Sequence, residues 1–218
     1  MVKALFLLLA VVPAVLATRG VDVSSEVLPT DWKCLLSEGY DFAIIRAYES
    51  VGRPDSTAPH TVYNAWAGGM AHVDVYMFPC YSCGNPAGQV DSMLAYLEQF
   101  NITSGGQPPG AFGMVWLDIE GPQYWSKSTS DNSAFIEGLI KQAKARGINV
   151  GVYTSDSQWV PITGDAHIAP DLPLWYPHYD DSPSFSDFSP FGGWSKPSIK
   201  QFRGDATVCG VGIDENWY

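Results

Sequence analysis

The chain has 218 residues, 46% of them hydrophobic and only 16% charged, a balance that supports a packed core and argues against extended disorder. Its formal net charge of −11 argues against nucleic acid or an anionic membrane surface as the main partner, since both require basic patches. Eight Trp and eleven Tyr are generous for the length, but such rings fill cores more often than they stack on sugars.

In chain order, Met1-Val2-Lys3 is a short positive start, residues 4–16 are an apolar run, and Ala17 supplies a small residue where a signal peptidase cuts. A bilayer span needs about 20 apolar residues, so 1–17 reads as a secretory signal peptide. No later segment is long and apolar enough for a membrane span. Residues 18–218 then form one domain, long enough to bury a full core.

The rest alternates apolar strands with amphipathic helices: strand 19–23, helix 31–38 stopped by Gly39, strand 42–47, helix 60–70, strand 73–78 and helix 89–100. In the last of these, Val90, Met93, Leu94 and Leu97 recur at helical spacing. A strand at 114–119 is followed by the strongest helix, 131–146, with Asp131 expected as its N-cap and Gly147 at its end. Strands 148–154 and 172–176 follow. Beyond Pro177 the text turns to Ser, Pro, Asp and Gly, with patterned sequence resuming only at 198–202 and 210–218. Repeated strand–helix units imply a parallel sheet. The expected fold is α/β, an irregular TIM-like (β/α) barrel in a single domain whose last third is poor in helix.

Strand periodicity says where the acids point. Val115, Leu117 and Ile119 share one face, and Met114, Trp116, Asp118 and Glu120 the other. In a barrel the aliphatic face packs on the outer helices, so the second face points inward and turns acidic toward the C-terminal end, where barrel active sites lie. By the same alternation Asp22, Asp74, Tyr76, Phe78 and Tyr153 point inward. A lone inward Asp is more often a hydrogen-bonded structural residue. Two carboxylates on one face at a strand end are richer, because they repel and one must hold its proton to higher pH.

The four His residues (60, 72, 167 and 178) show no zinc-enzyme spacing, and no P-loop, dinucleotide fingerprint or GxSxG motif is present. No metal and no cofactor is expected. Cys34, Cys80, Cys83 and Cys209 are an even count in a chain expected to be exported, which suggests disulfides. Asn101-Ile102-Thr103 is a glycosylation sequon.

Taken together, Gly20-Val21-Asp22-Val23-Ser24, Phe42-Ala43-Ile44-Ile45-Arg46-Ala47, Tyr76-Met77-Phe78, Trp116-Leu117-Asp118-Ile119-Glu120, Tyr153-Thr154-Ser155, Leu174-Trp175-Tyr176-Pro177-His178-Tyr179, Ile199-Lys200-Gln201-Phe202 and Gly212-Ile213-Asp214 resemble, in order and spacing, the glycoside hydrolase family 25 lysozymes. The stretch 178–196 is most similar to the animal and protist branch, including nematode secreted lysozymes. The Cys80-x-x-Cys83 insertion, Cys209, and Met77 where many members carry His depart from the bacterial pattern.

The resemblance implies hydrolysis of the β-1,4 bond between N-acetylmuramic acid and N-acetylglucosamine in peptidoglycan, for antibacterial defence or digestion of bacteria. It implies Glu120 as general acid with Asp118, Asp22 and Asp214 as acidic companions, and Tyr76, Tyr153, Trp175 and His178 as substrate contacts. The pairings expected are Cys80–Cys83 and Cys34–Cys209, the latter tying the first helix to the closing strand. The partner expected is peptidoglycan, and the chain is expected to act as a secreted monomer. Two rivals are a non-catalytic peptidoglycan- or chitin-binding barrel, which would be expected to lose the acid, and a chitinase-like hydrolase, whose longer acidic ladder Val115-Trp116-Leu117 does not provide.

Overall fold

A computed structural model describes residues 17–218; the expected signal peptide, apart from Ala17, lies outside the described residues. The strands are β1 (Arg19–Val23), β2 (Phe42–Glu49), β3 (Arg53–Pro54), β4 (His72–Met77), β5 (Thr103–Ser104), β6 (Ala111–Phe112), β7 (Met114–Asp118), β8 (Asn149–Tyr153), β9 (Leu174–Pro177), β10 (Ile199–Val208) and β11 (Val211–Trp217). The helices are α1 (Pro29–Ser37), α2 (Ala58–Gly68), α3 (Pro86–Glu98), α4 (Thr129–Ala145) and α5 (Asp156–Thr163). Pairing runs β1-β11-β10-β9-β8-β7-β4-β2, and β2 pairs again with β1, so eight strands close into a barrel; β3 is appended to β2, and β5 and β6 pair apart.

The barrel is not wholly parallel as expected. β11 runs antiparallel to both neighbours, β10 and β1. Its cause is the connection: only Cys209 and Gly210 separate β10 from β11, both at positive φ (57° and 77°). A two-residue turn of that kind closes a hairpin and leaves no room for a crossover helix.

The helix boundaries also move. Ser128, not Asp131, caps α4: its Oγ accepts from the Asp131 backbone N–H at 3.3 Å, while Asp131 sits in the first turn, where a negative charge suits the helix dipole. The sequence reading missed α5, whose eight residues include Pro161 and give little period to detect; Trp159 and Ile162 bury its inner side. After α5 the chain is helix-free among the described residues.

The expected alternation of faces holds. Val21, Val23, Val73, Val75, Val115, Leu117, Val150 and Val152 face outward and join a core with the helices. Phe42, Ile44, Trp116, Tyr153, Trp175 and Ile199 form a second cluster inside the barrel. Glycine makes that interior fit: a Cβ on Gly20 would lie 2.4 Å from the Phe42 ring, and one on Gly151 2.4 Å from the Trp116 ring.

Both expected disulfides are present, Cys34–Cys209 and Cys80–Cys83. The first ties α1 to the turn just before β11, spanning 175 residues of sequence. A cross-link over a loop that long stabilises by about 5 kcal/mol on the chain-entropy estimate, against about 2 kcal/mol for the short loop. Thermal unfolding of C34S/C209S beside C80S/C83S should therefore show the larger fall in Tm for the first pair; equal falls would contradict this.

Candidate active site

Four carboxylates meet at the C-terminal mouth of the barrel. Asp22 on β1 and Asp214 on β11 are direct cross-strand partners. Asp118 ends β7, and Glu120 follows it on the same face. With Tyr76, Tyr153, Trp175, Tyr179 and Gln201 they line a pit of about 110 Å³. A hollow of about 350 Å³ adjoins it on the β10–β11 side, sharing Asp22, Tyr76 and Asp214. Another of about 240 Å³ adjoins it on the other side, sharing Glu120, Tyr153 and Tyr179 and reaching Ser155, Gln158 and His178. The acids therefore form the floor of a groove that continues past them on both flanks.

The floor is rigid. Trp175 packs edge-on to Tyr153, Trp116 and Tyr76, at centroid distances of 4.6, 5.9 and 6.1 Å. Its Nε1 donates to Asn216 Oδ1 at 2.7 Å, and Asn216 Nδ2 donates to Asp22 Oδ2 at 2.7 Å. Gln201 Nε2 donates to Asp22 Oδ2 at 2.8 Å and to Asp214 Oδ2 at 3.3 Å. The Asp205 backbone N–H donates to Asp214 Oδ1 at 2.7 Å. Asp205 sits at φ 55°, where the β10–β11 register shifts. A bulge that spends a left-handed residue to aim an N–H at a site carboxylate is a local device, not an accident of the turn.

Glu120 is positioned through its backbone. Its carbonyl accepts from Trp125 Nε1 at 2.9 Å, and the next residue, Gly121 at φ 65°, donates to Gln158 Oε1 at 2.9 Å. Among the described residues nothing donates to its carboxylate, which stays open to the groove. Asp118 is buried, and its Oδ1 has no hydrogen-bond partner. Arg46 brings positive charge from β2, its Nε bound to Asp55 Oδ2 at 2.8 Å and its Nη2 to the Ser24 carbonyl at 2.8 Å.

The electrostatics follow from burial and crowding. Desolvation and the neighbouring Asp214 push Asp22 up to about 8, although Asn216 and Gln201 pull the other way. Asp118 is held well above the usual carboxylate range by burial and by Glu120 and Asp22, with Arg46 opposing. Glu120 is raised by burial and by Asp214. Asp214 is also raised, by burial, against the hydrogen bond from Asp205. At least one acid of the group therefore keeps a proton into the neutral range, while the Gln201 and Asn216 donors favour charge on their partners.

The structure brings together seven of the eight sequence-predicted site residues, Asp22, Tyr76, Asp118, Glu120, Tyr153, Trp175 and Asp214. His178 stands apart on the flank, its Nδ1 held by Asp187. Asp74, expected among the acids of the mouth, belongs to the opposite end. Its Oδ1 accepts from the Met114 N–H and meets His72 Nε2, each at 2.8 Å, and its Oδ2 accepts from Trp116 Nε1 at 2.9 Å. It is the structural acid that a lone inward Asp usually is. Phe78, also expected inside, lies past the end of β4 against Tyr124. Sequence reading gave no role to Gln201, Tyr179, Arg46, Asn216 or the Asp205 N–H; the strand period that makes Asp214 inward also makes Asn216 inward.

His178, Asp180 and Asp187 come close enough to hold a metal, but Lys200 Nζ already binds both carboxylates at 2.8 and 2.9 Å. Burial would raise these two acids; bonds from the buried lysine reverse that and leave both below the usual range.

What such a floor can do is protonate a leaving oxygen from one carboxyl while another stays charged beneath a developing cation. That is the chemistry of a glycoside hydrolase, and comparison with known proteins agrees. A family described as "Lysozyme-like protein 1" matches residues 14–202. The chain is 54% identical to "Probable GH family 25 lysozyme 2" of Dictyostelium discoideum, covering 98% of this chain and 95% of that protein. It is 38% identical to "Lysozyme-like protein 5" of Caenorhabditis elegans, covering 92% and 91%. The fold is similar to a muramidase from Acremonium alcalophilum (TM-score 0.73, 22% identity, 92% and 93% covered). The chain belongs to the glycoside hydrolase family 25 lysozymes.

Asp118 binds its proton more tightly folded than unfolded. Its contribution to stability is thus complete below the unfolded value of about 3.9 and is lost as pH rises through the higher folded value. Asp118→Asn removes that loss, so its Tm should gain on the wild type between about pH 4 and pH 8. A constant difference in Tm across that range would show that Asp118 carries no shifted proton.

Proposed function

We propose that this protein is a secreted lysozyme that cleaves the β-1,4 bond between N-acetylmuramic acid and N-acetylglucosamine in peptidoglycan, with Glu120 as the general acid. The observation that carries this is the open Glu120 carboxyl on the floor of a groove that extends on both sides of it, as a polymer cut within its chain requires. Glu120 keeps its proton because it is half-buried among other carboxylates, and an acid must hold its proton until the glycosidic oxygen needs it.

Below the cleaved bond, Asp214, raised less than Asp22 or Asp118, supplies negative charge that an oxocarbenium-like transition state requires, with Asp118 and Asp22 contributing as they ionise. The partnerless Asp118 Oδ1 would be satisfied by the N–H of the sugar's 2-acetamido group, which turns the acetamido oxygen toward the anomeric carbon. Tyr76, Tyr153, Tyr179 and Trp175 offer ring faces and hydroxyls to the sugars. Export rests on the signal-like segment 1–17, and the sequon Asn101 is exposed and open to glycosylation. We assign the chain as a monomer acting on bacterial walls in defence or digestion.

Glu120→Gln is isosteric and sits at the mouth, so it should fold normally yet lose about 10²–10⁴ in wall-lysis rate. Retention of more than half the activity would remove Glu120 as the acid.

Wall lysis should peak below pH 6. Lower pH keeps Glu120 protonated and also shrinks the repulsion between an acidic enzyme and a polyanionic wall. Salt separates the two effects, because it screens surface charge over about 8–10 Å but hardly reaches the pit. Added salt should raise activity at pH 7 more than at pH 5 without removing the acidic preference. A flat profile from pH 5 to 8 would contradict both effects.

A further inference from the structure

Gln201 makes four hydrogen bonds inside the pit, more than its place in a strand requires. Its Oε1 accepts from Tyr153 Oη at 2.7 Å and from Tyr179 Oη at 2.9 Å. Its Nε2 donates to Asp22 and Asp214. The side chain is buried, and every hydrogen-bonding position of the amide that points into the pit is used. Turning the amide over would set its oxygen against two carboxylate oxygens, so the acids and the tyrosines together fix its orientation.

We propose that Gln201 is a positioning residue of this lysozyme: its amide holds one oxygen of Asp22 and one of Asp214 as hydrogen-bond acceptors through turnover, keeping Asp214 ionised beside Glu120. The proposal rests on the assignment of Glu120 as the acid. The physical argument is one of competition. Four carboxyls share a small volume, and a proton goes to whichever is least stabilised as an anion. An amide nitrogen can only donate, so an oxygen it faces is favoured as a bare acceptor. Asn216 Nδ2 adds a donor to Asp22, and the Asp205 N–H adds one to Asp214.

The other charges around the amide leave that work to it. Arg46 lies by β2 and favours the anion of Asp118, while its own guanidinium is bound to Asp55. Asp214 and, less strongly, Glu120 oppose the Asp22 charge, and Asp205 opposes that of Asp214. Tyr76, Tyr153 and Tyr179 are all shifted upward by burial and remain neutral donors. With Gln201 removed, Asp22 and Asp214 hold protons to higher pH, and Glu120, relieved of their charge, releases its own earlier.

Two substitutions separate the roles. Gln201→Met keeps the length and removes all four bonds. Gln201→Glu keeps an oxygen for the tyrosines but replaces the donor. Each variant and the wild type would be assayed on a soluble peptidoglycan fragment across pH, beside Glu120→Gln. Both Gln201 variants should lose about ten- to a hundredfold in kcat with KM within about twofold. The pH profile of Gln201→Met should narrow from both sides, the acidic limb moving up and the alkaline limb moving down, whereas Gln201→Glu, which adds a carboxyl to the cluster, should move both limbs up. Unfolding gives a reading independent of activity: the loss of Tm relative to wild type should be larger near pH 8 than near pH 4. An unchanged profile width in Gln201→Met, or a Tm loss equal at both pH values, would overturn the positioning role. If Glu120→Gln stays active, the assignment of the acid fails instead, and the Tm comparison still decides whether Gln201 stabilises the two anions.

Discussion

The structure depends on a costly arrangement, four carboxyl groups gathered in one pit, Asp22 and Asp118 buried and Glu120 and Asp214 half-buried. Burying like charges together raises the affinity of each for a proton, and the fold is organised to hold the group in place despite that. The pairing of β1 with β11 sets Asp22 directly opposite Asp214. Donors then gather on that pair: Gln201, Asn216 and the Asp205 N–H. Glu120 receives no such support among the described residues. The asymmetry is the chemical content of the site, since a donor-supported Asp214 anion beside an unsupported acid is what the two halves of glycoside cleavage require.

The barrel supplies this arrangement through its two-sided strands. Outward positions are aliphatic and pack on the helices, which frees the inward positions for an aromatic floor and an acidic mouth. The reversed strand β11 matters for function as well as closure. A parallel strand would have needed a crossover helix, whereas the hairpin lets β10 run ten residues, bulge, and present Asp205 to Asp214. The Cys34–Cys209 bridge fastens the tip of that hairpin to α1, so one wall of the groove is fixed to the body of the molecule. The loop after β9 is fastened differently, by the buried Lys200 ammonium bound to Asp180 and Asp187.

Much of this could be read from the sequence because strand period is a strict code. Asp22, Asp118 and Glu120 were legible from alternation with Val and Leu, whereas Asp214 entered through its resemblance to a family motif. Asp74 obeyed the same alternation and was misplaced, because period gives the face and not the height along the barrel; it lies two residues below Tyr76 and serves Trp116. Gln201 and Tyr179 carried no signal, since an amide and a loop tyrosine gain meaning only when the strands are in register. Lys200 is the clearest failure of pattern: a lysine on an outward position should be solvated, yet it is fully buried, because its partners come from an irregular loop, 20 and 13 residues earlier in the chain. The antiparallel β11 was illegible for a related reason, as a two-residue connection at positive φ is set by Cys209 and Gly210 and not by hydrophobic period.

The central claim is that Glu120 holds its proton because it is half-buried beside Asp214. Carbon-13 labelling of glutamate side-chain carboxyls, with the Glu120 signal assigned by its loss in Glu120→Gln, measures that proton directly during a pH titration. The account predicts a midpoint clearly above that of an ordinary glutamate, about 4.3, and a downward move of that midpoint in Asp214→Asn. A midpoint at the ordinary value, or one indifferent to Asp214, would contradict it.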